Sequence, residues 1–304
     1  MKELVFVHGR SQQRKDAAAL KAEWLGALNK GLAKSGLALP IPETQVRFPF
    51  YGDTLMDLID GKSPAEAAKV IIKGTIAAAD EATRQFVQDV LEEIKAARNI
   101  SDAEVADEAK KVVAEEGGDP RVAEKGPLNW GWVQGILRAI DNHVPGGSHK
   151  AVATFTSDVH HYLSNDAISG PLNDGVLQAI KPEVETVVVG HSLGSVVSYN
   201  LLKNKGEELG WKVPLYVTVG SPLAIKRIRT AMSPIKHPPC VGKWFNAMDP
   251  NDVVALFPLD KGHFNINPGI ENKTDVNNWT DNQHGIIGYL DDAEVAKRIH
   301  DALK

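Results

Sequence analysis

Residues 186–194 place the tightest constraint on this chain. Thr186-Val187-Val188-Val189 is a β-branched run suited to a buried strand. Residues 195–203 (Ser-Val-Val-Ser-Tyr-Asn-Leu-Leu-Lys) fit a helix with one apolar face. Gly190-His191-Ser192-Leu193-Gly194 lies between them, so the chain must turn from strand to helix within five residues. Gly-x-Ser-x-Gly at such a corner is the pattern of a nucleophile elbow. A serine at that corner sits in a strained backbone conformation that holds its Oγ outward. The flanking glycines, lacking Cβ atoms, let strand and helix pass closely. The helix start leaves backbone N–H groups free to collect on an oxyanion. In a chain with 26 glycines among 304 residues the pentapeptide alone is weak, and a glycine-flanked turn is the competing reading. The strand before it and the helix after it carry the assignment.

The rest of the chain alternates strands and helices, except in one long stretch. Leu4 to Val7 reads as a central strand that ends in the polar loop His8-Gly9-Arg10-Ser11. A helix follows over residues 16–34, with Leu20, Trp24, Leu28 and Leu32 on one face and Gly36 closing it. Residues 46–50 read as a second strand running into a turn at Tyr51-Gly52-Asp53. After residue 150, segments 158–163 and 172–180 suggest a helix, and 215–219 and 243–248 suggest strands. A loop rich in Asn, Asp and Gly spans 260–283 before a last helix at roughly 291–303. This alternation predicts a mostly parallel sheet with helices on both faces.

Between about residues 63 and 145 strand signals vanish, and Ala, Glu, Lys and Asp dominate. Ser63-Pro64 reads as a cap and first turn. Phe86, Val87, Val90, Leu91 and Ile94 recur at helical spacing, and Ser101-Asp102-Ala103-Glu104 fits a capping box, with Gly117-Gly118 closing its helix. Trp130 to His143 is a third helix, stopped by Pro145-Gly146-Gly147. The expected organisation is an α/β domain made of residues 1–62 and 146–304, interrupted by a helical insertion at 63–145. The insertion reads as a lid over a pocket or as a structural arm for homo-oligomerisation, its charged residues forming a solvated face.

The totals narrow the partners. The formal net charge is −5 with both signs interspersed, which argues against a nucleic-acid partner. Cys240 is the single cysteine, so no intrachain disulfide can form. No basic leader followed by an apolar segment opens the chain, and no apolar run reaches the ~18 residues of a membrane span. A cytoplasmic protein with no integral membrane segment is the expectation. No Cys/His metal spacing and no phosphate-binding glycine loop is present, so no cofactor is expected. His160-His161 is a poor metal pair, because adjacent side chains on a helix diverge.

In order along the chain stand a strand ending in His-Gly, an elbow serine, a strand ending in Asp249 and Asp252, and two late histidines, His263 and His284. This order resembles the α/β-hydrolase superfamily, whose members run serine, acid, histidine. Residues 1–50 and 150–304 fit, and the insertion is unmatched; two edge strands that often precede the first one are missing. Phe245-Asn246-x-x-Asp249-Pro250-x-Asp252-x-Val254-Ala255, Gly220-Ser221-Pro222-Leu223 and the His-Ser-Leu-Gly elbow are similar to lipase-like serine hydrolases. These include the intracellular phospholipases with a DDHD domain and the esterases that deacylate GPI anchors.

The resemblance implies an α/β-hydrolase fold and a serine esterase that works through an acyl-enzyme. Ser192 would be the nucleophile, activated by a histidine that takes its proton. The resemblance puts that base at His284, with His263 as the alternative, and the acid at Asp252, before an apolar pair, with Asp249 as the alternative. Asp249-Pro250 is otherwise a good turn starter. The oxyanion hole would be the backbone N–H groups of Leu193 and Arg10; the Arg10 side chain then either pairs with an anionic substrate group or lies on the surface. His8 and His191 read as structural groups that hydrogen-bond the framing loops, and His160 and His161 are poorly placed for the base. The implied substrate is a small-molecule or lipid ester. Alternatives are a lipid-directed phospholipase, lipase or acyltransferase, and a non-catalytic binding module on the same fold.

Overall fold

The computed structural model describes residues 2–9, 16–50, 81–115, 117, 130–144 and 148–304. Ser63-Pro64, the Tyr51-Gly52-Asp53 turn, the Pro145-Gly146-Gly147 stop and Arg10 lie outside the described residues. Among those described, the fold is α/β: six strands form one all-parallel sheet flanked by helices. The strands are β1 (Lys2–Val7), β2 (Val46–Arg47), β3 (Glu185–His191), β4 (Val213–Val219), β5 (Val241–Ala247) and β6 (Glu271–Lys273). Their spatial order is β2-β1-β3-β4-β5-β6.

The apolar runs at 4–7, 187–189 and 215–219 follow from burial on both faces of a parallel sheet. Leu4, Phe6, Val187, Val189, Val217 and Val219 point to one face. There they meet α1 (Ala17–Ala33), α9 (Ile286–Leu290) and α10 (Ala293–Leu303) in one hydrophobic cluster. Leu20, Trp24, Leu28 and Leu32 are all buried in it, and Gly36, at φ +65°, ends the turn that follows the helix.

Val5, Val7 and Val188 point to the other face and share a second cluster with α2 (Glu81–Ala97), α3 (Asp102–Glu115), α4 (Trp130–His143), α5 (Ser148–Ser164), α6 (Asp166–Ala179) and α7 (Leu193–Asn204). Val90, Ile94, Ile136 and Ile140 belong to this same cluster, where α2 and α4 pack against each other and against α5, while α7 contacts β1 and β3. Ser101 opens α3 as the capping box requires: Glu104 N–H donates to Ser101 Oγ at 3.2 Å, and Ser101 N–H donates to Glu104 Oε2 at 2.8 Å.

The structure alters four details. The strand expected over 46–50 stops at Arg47; Pro49 has no N–H for a ladder, and Phe48 and Phe50 instead pack against the α1-side cluster. The single helix suggested before residue 185 is two, α5 and α6, separated at Asn165, whose side chain caps Ala167 N–H at 3.0 Å. The elbow helix α7 is buried almost all round, because it lies between the sheet and the helices of the second face. Finally, Glu-Asn-Lys at 271–273 pairs with β5 inside a stretch read as loop.

Register brings the functional loops together. Val7 lies beside Gly190, His191 beside Val219, and Val219 beside Ala247. The chain therefore leaves β1, β3, β4 and β5 along one edge, at His8, Ser192, Gly220 and Met248. From β1 the chain passes to β2 on one side, and the next strand, β3, lies on the other side of β1. That reversal makes a crevice at the carboxyl ends of β1 and β3, where ligands bind in open α/β sheets.

Candidate active site

Ser192 occupies this crevice. Its backbone has φ 53° and ψ −128°, a region that a residue with a Cβ occupies only under strain. Close packing enforces the corner. A Cβ on Gly194 would lie 2.1 Å from the Val7 carbonyl oxygen, and one on Gly190 would lie 2.8 Å from the Ser195 Cα. Below the corner, Ser195 Oγ donates to the Ser192 carbonyl at 2.6 Å and meets Ser221 Oγ at 2.7 Å, while Tyr216 donates to the Ser195 carbonyl at 2.9 Å. These buried hydroxyls tie α7 to β4 and to Gly220-Ser221-Pro222.

Three of the sequence-predicted residues converge. His284 Nε2 lies 3.0 Å from Ser192 Oγ, and His284 Nδ1 lies 2.7 Å from Asp252 Oδ2. Asp252 is fully buried. Burial opposes its charge, but the His284 ring and the hydrogen bonds from His284, Tyr289 and Val254 outweigh it and hold the carboxyl below the ordinary carboxylate range. An ionised carboxylate only accepts, so Nδ1 carries the imidazole proton and Nε2 is left to accept from Ser192 Oγ–H. A hydroxyl facing an imidazole nitrogen, with a buried carboxylate behind the ring, is an arrangement that can pass the hydroxyl proton to the ring as the oxygen attacks an electrophile.

Asp249 does other work. Its Oδ1 accepts from Asn251 N–H and its Oδ2 from Asn278 N–H, each at 2.7 Å. The turn-starter reading describes the first bond; the second joins the acid loop to the segment that carries His284. Asn278 then holds that segment, donating from Nδ2 to the Gly285 carbonyl at 2.8 Å and accepting from Thr280 Oγ1 at 2.7 Å.

His263 is apart from this chain of contacts. It pairs with Asp260 at 2.9 Å and stacks on Phe257 with ring centroids 4.4 Å apart. His8 and His191 both bond to loop backbone. The Nδ1 of His8 donates to the Gly9 carbonyl at 2.6 Å, and the Nε2 of His191 donates to the His284 carbonyl at 2.8 Å. Burial pushes His8 down to about 4 and His191 down to about 3, the latter helped by the neighbouring His284 ring, so both are neutral imidazoles at pH 7. His160 and His161 lie on α5, where His160 packs on Phe86 with centroids 4.9 Å apart.

Leu193 is the first residue of α7, so its N–H has no helical carbonyl to meet. The loop after β1 presses on the serine: a Cβ on Gly9 would lie 2.8 Å from Ser192 Cβ and 3.3 Å from Ser192 Oγ. Arg10 follows, outside the described residues. Among the described residues no group of three or more His, Cys, Asp or Glu side chains could hold a metal ion, and no helix is long and apolar enough to cross a membrane.

Two residues that no motif singled out complete the surroundings of the acid. Tyr289, fully buried, donates from its hydroxyl to Asp252 Oδ2 at 2.7 Å. Arg98, just beyond α2, donates to the carbonyls of Pro250 and Asp252, each at 3.0 Å. In sequence Tyr289 reads as core in an apolar run and Arg98 as part of a solvated face.

No protein-family model, curated protein or solved structure matches the chain.

Proposed function

We propose that the protein is a serine hydrolase of α/β-hydrolase type that cleaves carboxylic esters through an acyl-enzyme. The unbroken series Asp252–His284–Ser192, at 2.7 and 3.0 Å, is the observation that carries this reading. The strained corner at Ser192 and the all-parallel strand order around the β1/β3 crevice support it.

In this mechanism Ser192 Oγ attacks the ester carbonyl carbon as His284 Nε2 takes the hydroxyl proton. Asp252 keeps the ring oriented and stabilises the imidazolium. The negative charge that develops on the carbonyl oxygen is received by the Leu193 N–H and by the loop that follows Gly9, where Arg10 stands. One such donor typically contributes ~3–4 kcal/mol to the transition state. Collapse expels the alcohol, which leaves with the proton from His284. Water then attacks the acyl-Ser192, giving its proton to His284, and the acid is released as Ser192 recovers its proton. The substrate is a small-molecule or lipid ester, with its acyl group between the carboxyl edge of the sheet and the insertion at residues 63–145.

Fluorophosphonate labelling tests the reading. Wild type should take up one equivalent and Ser192→Ala none; equal labelling of both, or of neither, favours a binding module on the same fold. Turnover of short-chain aryl esters compared with phospholipid vesicles then separates a general esterase from a lipid-directed enzyme.

A further inference from the structure

Asp252 Oδ2 receives two donors, not one. His284 Nδ1 and the Tyr289 hydroxyl both lie 2.7 Å from it, while Asp252 Oδ1 takes, among the described residues, only the Val254 N–H, at 2.8 Å. The direction of the tyrosine bond follows from its second partner. Asp249 N–H can only donate, and it reaches the Tyr289 oxygen at 3.2 Å, so the single phenolic proton goes to the carboxylate. Tyr289 is fully buried. Burial raises its phenol far above the ordinary range, and the Asp252 charge raises it further, so it remains a donor at every working pH. It stands five residues after His284 on α9, so one short segment supplies both donors.

We infer that Tyr289 is a positioning residue for the Asp252–His284 pair: its hydroxyl anchors Oδ2 in front of Nδ1 and draws charge from that oxygen. The inference rests on the hydrolase reading only for its effect on turnover. A carboxylate that shares its charge with a phenol attracts an imidazolium less strongly than one that does not. Tyr289 therefore weakens the pull of the carboxylate on an imidazolium while fixing the orientation of the ring. Other charged or titratable groups face the pair: Asp249 on the same loop, Arg98 from the end of α2, and His191 at the end of β3. None of them donates a side-chain hydrogen bond to Oδ2 among the described residues.

The test is Tyr289→Phe, which keeps the ring and removes the hydroxyl, read by two measurements. The first is the NMR titration of the His284 ring, which needs no substrate: its midpoint should move up by about half a pH unit relative to wild type. The second is aryl-ester turnover. Its kcat should fall about tenfold with KM unchanged, and the acid limb of kcat/KM should move up by the same half unit. Should the variant not fold, 3-fluorotyrosine at position 289, a stronger donor, should move both readings down. An unchanged midpoint and limb would overturn the inference. A shifted midpoint in a protein that neither turns over esters nor takes the fluorophosphonate would leave Tyr289's role standing and remove the hydrolase reading instead.

Discussion

Arg98, just beyond α2, holds the backbone at Asp252, its Nη2 donating to the Asp252 backbone carbonyl at 3.0 Å. Its Nη1 makes the same contact with Pro250, so one guanidinium clamps both ends of the turn that carries the acid. The helix that ends just before Arg98 is thereby part of the site's scaffold. Arg98→Met should lower kcat about tenfold and stability by about 1–2 kcal/mol, since it removes two charge-assisted hydrogen bonds at a half-buried position. Urea denaturation and ester turnover check this; a variant equal to wild type in both would show that the clamp is idle.

Asp249 and Asp252 should separate cleanly in mutants. Asp252→Asn should leave folding close to wild type and reduce kcat about 10⁴-fold, because the amide no longer enforces the Nδ1–H tautomer. Asp249→Ala should do the reverse. It strips the Asn251 and Asn278 N–H groups of their acceptor and should destabilise by about 2–3 kcal/mol, with a smaller kinetic loss. Melting temperature and kcat measured on both variants decide between these roles.

Stability should fall in mild acid, because two buried histidines resist protonation. His8 and His191 have folded values near 4 and 3, set by burial, against about 6.5 in an unfolded chain. From pH 6.5 down to about 4 the unfolded state therefore binds more protons than the native state, and stability decreases as pH falls. The loss should reach on the order of 3 kcal/mol per histidine by pH 4. Asp252 adds to this at lower pH: its folded value is depressed, so its contribution, present above the unfolded carboxylate value of about 3.9, is lost as pH falls through the folded one. Denaturant midpoints from pH 8 to 4 check the first part, and a flat profile between 6.5 and 4 would contradict it.

How much of this could be read from residues alone depended on whether a signal was local. The strands at 4–7, 187–189 and 215–219 announce themselves because both faces are buried, and Ser192 does so because the elbow confines its requirements to five residues. Glu271–Lys273 carries no such mark; it is a strand only because β5 offers a free edge. The choice of Asp252 over Asp249 needed a family resemblance, since both aspartates sit on one loop, are buried, and accept backbone N–H groups. Tyr289 and Arg98 were illegible. Their partners are 37 and 154 residues away, and neither residue type is unusual where it stands.

Gly194→Ala should abolish folding of the elbow. The added methyl would meet the Val7 carbonyl oxygen at 2.1 Å and the His8 carbonyl oxygen at 2.6 Å, backbone atoms that cannot rotate aside. A cost above about 3 kcal/mol is expected. Soluble yield and circular dichroism measure it, and a well-folded variant would show that β1 and α7 can separate.

The central claim is that the hydroxyl of Ser192 becomes a nucleophile through His284. Intact-mass and peptide mapping after exposure to a fluorophosphonate, run on wild type, Ser192→Ala and His284→Ala, addresses it directly. The account requires a single adduct on the peptide containing Ser192 in wild type, none in Ser192→Ala, and labelling slowed by at least about 10³-fold in His284→Ala. An adduct on another residue, or labelling of Ser192 at an undiminished rate without His284, would contradict it.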